Sequence, residues 1–145
     1  MSNVVGGPIW DCRLPGTSYW GPFDTVKDFH LKLRNGITHT STPQVDAELY
    51  TKLQKLVSFH EAMDSTPVLT HGDLTCLNVI IRGDEVVGII DWATSGWLPY
   101  YWEYTTAWFA NPSVQWWTEE VERFLTPYPR ELDMDKFRRI CFGEF

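Results

Sequence analysis

Between Asn78 and Asp91 the chain alternates apolar runs with turn formers in a way that leaves little choice of local fold. Val79-Ile80-Ile81 and Val86-Val87-Gly88-Ile89-Ile90 are rich in β-branched residues, and Arg82-Gly83-Asp84-Glu85 between them is turn chemistry. The pattern predicts a hairpin. Paired strands lie ~5 Å apart, so folding back brings Asn78, where the first run starts, close to Asp91, where the second ends. Asp73, on the loop just before, falls at the same end. One carboxamide and two carboxylates are therefore expected at one mouth.

The flanking segments read mostly as helix. The opening as far as Gly21 is dense in Gly and Pro and is expected to be irregular, although Ile9, Trp10, Leu14, Tyr19 and Trp20 need an apolar surface to lie on. A helix is expected from Phe23 or Asp24 to Arg34, with Val26, Phe29 and Leu33 on one face and Asn35-Gly36 as its stop. A second should start at Thr42 as cap, with Pro43 in the first turn, and run through Phe59. Val68-Leu69-Thr70 is a short extended lead-in to His71. After the hairpin, helices are expected from Pro99 to about Phe109, from Thr118 to Leu125, and from an Asp133 cap to about Phe142. Asn111-Pro112 should break the first of these and Pro127 and Pro129 the second.

The stretch His71-Gly72-Asp73-Leu74-Thr75-Cys76-Leu77-Asn78 has the spacing H-x-D-x-x-x-x-N. That is the spacing of a phosphoryl-transfer catalytic loop. Such chemistry needs a group that orients the attacking hydroxyl and accepts its proton, and Asp73 is the candidate. It also needs a cation held by hard oxygen ligands; Mg²⁺ keeps several waters, so one or two protein oxygens suffice. Asn78 and Asp91 are the candidate Mg²⁺ ligands and, through the metal, the ATP-phosphate contacts. His71 is expected to hold the loop by hydrogen bonds. Cys76 lacks an activating base nearby in sequence and is expected to be a partly buried thiol.

Composition sets the class. The chain has 145 residues, 15% of them aromatic, including eight Trp, which suits one packed domain and argues against disorder. A net charge of −7 argues against coating nucleic acid and would suit a cationic substrate. Three widely spaced cysteines form neither a disulfide framework nor a metal pair. Residues 1–8 lack the positive and apolar regions of a signal peptide, and no apolar run could span a bilayer, so a cytoplasmic setting is expected.

At His71-Gly72-Asp73-Leu74, Asn78-Val79-Ile80 and Ile89-Ile90-Asp91-Trp92 the chain resembles the aminoglycoside phosphotransferase family, which shares the protein-kinase-like fold. Gly96 to Tyr104, Gly6-Gly7-Pro8 and Gly21-Pro22-Phe23 extend the resemblance over nearly the whole chain. It implies an α+β, mostly helical body: the C-terminal lobe of a kinase-like fold with a small central hairpin. It implies Asp73 as catalytic base, Asn78 and Asp91 as Mg²⁺ ligands, and ATP as phosphate donor. Trp92, Trp97 and Glu103 are implied as supports, although Glu103 could equally form a buried ion pair. Thr75-Cys76-Leu77 departs from the family in lacking the Pro or small residues often found there.

No Gly-rich phosphate loop and no strand Lys precede His71; Lys27 and Lys32 fall on a predicted helix. Residues 1–145 are thus expected to be a C-terminal lobe without its nucleotide-binding lobe, with weak activity alone and an apolar lobe interface that invites self-association. The acceptor is a hydroxyl of a small molecule; aminoglycosides, choline-like amines and sugars all remain open. The alternative expectation is a non-catalytic binding or scaffold module.

Overall fold

A computed structural model describes residues 1–11, 14, 19–111 and 114–143. Its elements run β1 (Ser2–Asn3), β2 (Ile9–Trp10), β3 (Tyr19–Trp20), α1 (Val26–Leu33), α2 (Ala47–Ala62), β4 (Val68–Thr70), β5 (Val79–Arg82), β6 (Glu85–Ile89), a 3₁₀ turn (Trp92–Thr94), β7 (Gly96–Leu98), α3 (Trp102–Phe109), α4 (Gln115–Phe124) and α5 (Pro129–Phe142). The architecture is α+β and mostly helical, as expected.

Local chemistry explains α1. Thr25 caps it and Asp28 reciprocates: the Asp28 N–H donates to Thr25 Oγ1 at 3.1 Å and the Thr25 N–H to Asp28 Oδ2 at 3.1 Å. Val26, Phe29 and Leu33 are buried on one face. The helix stops where Asn35 and Gly36 turn left-handed and the Gly36 N–H returns to Leu31 O at 2.8 Å.

Helix α2 starts later than its sequence suggests. Asp46, not Thr42, is the cap, accepting from the Leu49 N–H at 2.8 Å. Thr38 to Ser41 closes a turn of its own, and Val45 is 38% exposed, so extending the helix backwards would bury nothing. Helix α4 begins at Gln115, one turn before the expected Thr118. Helix α5 is a larger correction. Pro129, expected to end the preceding helix, occupies the first turn of α5, where its missing N–H costs nothing; Asp133 lies inside the helix.

The opening segment is not simply irregular. Strands β2 and β3 pair antiparallel, Ile9 opposite Trp20, while β1 and β4 flank β7 in a three-stranded sheet. The surface that the early aromatics need is in this chain: Ile9, Leu14 and Trp20 are buried with Phe29, Leu33 and Trp102 in one core cluster, while Tyr19 stays 65% exposed. Cys12, Pro15-Gly16 and Pro112 lie outside the described residues.

A second cluster gathers Leu74, Tyr104, Ala107, Trp117, Val121 and Leu132. Helix α3 joins the two cores: Trp102 belongs to the first, Tyr104 and Ala107 to the second. Each large side chain fully buried in this way stabilises by roughly 1.5–3 kcal/mol. The loop after β4 rests on this pillar.

Candidate active site

The hairpin forms as its sequence predicts. Arg82 pairs with Glu85 across a two-residue turn whose first position, Gly83, has φ 66°. Glycine adopts that conformation without strain, and it matches the twist of the strands. Val79 pairs with Ile89 and Ile80 with Gly88, but Ile81 pairs with Val86, so Val87 forms a bulge.

The strand ends are stitched to the loop. The Ile90 N–H donates to Asn78 O at 3.0 Å. His71 Nε2 donates to Ile90 O at 2.9 Å, and His71 Nδ1 accepts from the Asp73 N–H at 3.2 Å. Both ring nitrogens are used, one as donor and one as acceptor, so the ring is held at both ends. Asn78 Nδ2 donates to Asp73 O at 2.8 Å. The backbone segments that carry Asp73, Asn78 and Asp91 are thus tied together through His71 and Ile90.

Glu103, in the first turn of α3, holds the loop from the other side. Its carboxylate accepts from the His71 N–H at 2.5 Å and the Gly72 N–H at 3.1 Å. Through these bonds Glu103 holds the turn at His71-Gly72. Thr94 was not foreseen. Its hydroxyl donates to His71 O at 2.9 Å, and its own carbonyl stands so close to Gly72 that a Cβ there would meet it at 2.9 Å. Gly72 also has φ 83°, so a side chain is excluded twice over. The only sequence signal for Thr94 is a Thr-Ser pair just past the strand end, which fits a turn as well as a clamp.

Trp92 packs edge-on against His71, ring centroids 4.6 Å apart, and donates from Nε1 to Ile89 O at 2.9 Å. Trp97 is an exposed residue of β7, in register with Ser2 and Leu69. Cys76 is half-buried, its sulfur 3.6 Å from Asn111 Nδ2. Beneath the loop, Tyr104 bonds Glu122 at 3.2 Å; burial, then that bond, push its phenol up to about 12.

Asp91 has φ 64° and ψ 61°, a left-handed conformation costing of order 1–3 kcal/mol for a residue with a side chain. Its side chain is exposed and makes no capping hydrogen bond to the turn that follows. Asn78 donates one amide hydrogen to Asp73 O, which leaves the Oδ1 end of the group outside that bond. A carboxylate and a carboxamide oxygen are hard donors of the kind Mg²⁺ takes. Among the described residues no three His, Cys, Asp or Glu side chains gather as a metal cluster. The oxygen donors expected of Asn78 and Asp91 are of the type taken by a hard cation that keeps most of its waters.

A largely exposed hairpin beside a mostly helical body, with a histidine-braced loop at its mouth, makes this an α+β protein. The sequence model of the phosphotransferase enzyme family matches residues 14–140, and the chain belongs to that family. No curated protein matches its sequence significantly. Among solved structures the chain is similar to a thermostable mutant of aminoglycoside phosphotransferase APH(4)-Ia in ternary complex with ADP and hygromycin B. The TM-score is 0.56 at 20% identity, over 86% of this chain and 45% of that one. The apo form of a thermostable mutant gives 0.54 at 19% identity, over 94% and 46%. The chain thus spans under half the length of these neighbours, and at such identity they establish the fold.

Proposed function

We propose that the chain carries the catalytic loop and metal-binding strand ends of an ATP- and Mg²⁺-dependent phosphotransferase that moves the γ-phosphate onto a hydroxyl of a small molecule. Residues 1–145 are read as the C-terminal lobe of such an enzyme, contributing little turnover by themselves. The observation that carries the reading is the stitched loop: His71, Asn78, Thr94 and Glu103 all bond backbone groups of the segments that bear Asp73 and Asp91.

In this reading the Asp73 carboxylate orients the acceptor hydroxyl and takes its proton as the oxygen attacks phosphorus. Asp91 and Asn78 would hold Mg²⁺, which when bound neutralises charge on the donor phosphates. The left-handed backbone at Asp91 supports this assignment, since strain of that kind clusters at functional sites. Glu103, His71 and Trp92 position the loop. Ile80 and Ile90, 43% and 47% exposed, offer an apolar surface beside Asp91. That surface suits a nucleotide base or a covering lobe, and it favours self-association of the isolated chain.

The acceptor is a hydroxyl-bearing small molecule, and no nucleic-acid or membrane partner is proposed. A cytoplasmic setting, where Mg²⁺·ATP is plentiful, completes the reading. Among the described residues no helix is long and apolar enough to cross a membrane.

A thermal-shift titration with Mg²⁺·ATP tests the proposal. The expected result is saturable stabilisation of wild type that vanishes when Mg²⁺ is chelated and in Asp91→Ala. Absence of any nucleotide-dependent shift in wild type would leave the chain a non-catalytic binding module.

A further inference from the structure

The two faces of the hairpin differ. Because cross-strand partners share a face, Val79 and Ile89 lie together, and Ile81 joins Val86 beyond the bulge. This face looks across a cavity of ≈ 670 Å³ toward α4, which presents Trp116, Trp117 and Phe124; Leu74 and Cys76 of the loop close one end. The volume lies within the range of small-molecule sites. Among the described lining residues Glu120 is the one charged group, and its carboxylate is bonded to Arg123 at 2.7 Å, so the cavity offers no unanswered charge.

We propose that this cavity is a binding site for a small, uncharged, apolar molecule, aromatic or aliphatic. An apolar space gives water few hydrogen-bond partners, and it favours an apolar occupant for the same reason. The walls are unsatisfied as they stand: Trp116 is 55% exposed, Phe124 50%, and Ile81 and Val86 63% each. Trp116 and Trp117 meet edge-on with centroids 6.0 Å apart, and Trp117 and Phe124 at 5.6 Å, a geometry that an inserted ring can extend. A charged acceptor or a nucleotide would gain nothing here. The site is separate from the proposed phosphate mouth, and its existence does not depend on the proposed reaction. It is nevertheless adjacent: Leu74 follows Asp73 and Val79 follows Asn78 in the chain, so an occupant packs directly behind both.

The test is titration of the full chain with N-phenyl-1-naphthylamine, a neutral dye that fluoresces in apolar surroundings. Saturable, single-site binding is expected. Val86→Trp, which fills the cavity, should weaken it by about tenfold or more, while Val87→Trp, at the bulge and outside the lining, should leave it unchanged. Non-saturating uptake, or equal binding by both variants, would overturn the proposal. Wild type supplies a second readout that needs no variant to fold. Bound dye should slow alkylation of Cys76 by N-ethylmaleimide about fivefold or more and leave Cys141, which lies on α5, unaffected. Equal rates at Cys76 with and without dye, or equal slowing of both thiols, would count against the site.

Discussion

Two polar networks hold this chain, and they are built to opposite ends. At the loop mouth, His71, Asn78, Thr94 and Glu103 spend their hydrogen bonds on backbone groups, with Asp73 half-buried and Asp91 exposed. Between α1, α2, α3 and α5 the polar side chains mostly meet one another, apart from the bond of His30 Nδ1 to His60 O. His30 Nε2 meets Tyr101 Oη at 2.8 Å, the His30 and His60 rings stack at 4.1 Å, and Arg138 Nε donates to Asp135 Oδ1 at 2.6 Å. His30 and Arg138 are fully buried, and the others nearly so. The first network fixes the backbone that carries the proposed reactive groups. The second neutralises charge so that four elements can pack. Loss of a carboxylate should therefore destroy chemistry in one region and stability in the other.

The sharpest contrast is between Asp73→Asn and Asp135→Ala. Asn78 bonds the backbone carbonyl of Asp73, so the amide variant keeps that bond and should fold normally. Phosphoryl transfer should fall about 10³-fold, within the range for losing a general base, with little change in Mg²⁺·ATP affinity. Steady-state kinetics with Mg²⁺·ATP and a hydroxyl-bearing acceptor would read this. An unchanged rate would remove Asp73 from the chemistry. Asp135→Ala should leave the loop alone and lower unfolding free energy by about 3–5 kcal/mol, because buried Arg138 and half-buried Arg139 lose a shared carboxylate. Urea denaturation would measure it, and a loss below about 1 kcal/mol would show that the carboxylate is not what holds these cations.

Acid should separate the regions next. Burial, opposed in part by the bond to His60 O, lowers His30 to about 4; burial and then the neighbouring His30 charge lower His60 in the same direction. In the unfolded chain these rings take protons near 6.5, but in the folded one they do not. The unfolded state therefore binds more protons as pH falls from about 6.5 to 4, and stability falls with it, by roughly 3 kcal/mol for His30. Burial pushes Asp135 up, but Arg138 and Arg139 outweigh it and hold the carboxyl below its ordinary value. Its contribution is present above the usual carboxylate range and is lost only at lower pH. Melting temperature followed from pH 7 to 4 should drop in wild type and drop less in His30→Gln. Parallel curves would mean that the ring is not the proton acceptor.

The same division governs what the sequence disclosed. The hairpin, α1 with its Asn35-Gly36 stop and the extended Val68–Thr70 were legible because each is decided by neighbours within a few residues. Strands β1 and β7 were not: Ser2 pairs with Trp97 and Asn3 with Gly96, and two or three residues carry no periodicity to reveal so distant a partner. Pro129 misled because proline both ends and opens helices, and only packing decides which. In the site, H-x-D-x4-N marked the loop, but the task of Glu103 depended on α3 arriving beneath it. The buried network was invisible for a related reason. His30, His60 and Asp135 sit on helices at ordinary spacings, and nothing local says that three helices will close over them.

The smallest expected effect tests whether the loop network is redundant. Thr94→Val keeps the shape of the side chain and removes one donor, so the His71 carbonyl loses its 2.9 Å bond beside the crowded Gly72. A bond of this kind contributes about 1 kcal/mol. The His71 N–H is held by Glu103 and its ring by Ile90 and Asp73, so the loop keeps three other anchors. Stability should therefore fall by about 1 kcal/mol, with the Mg²⁺·ATP-induced thermal shift retained. If that shift disappears as well, the frame is not shared among its members. The mouth would then resemble the buried network, in which removal of Asp135 takes the shared carboxylate from two cations at once.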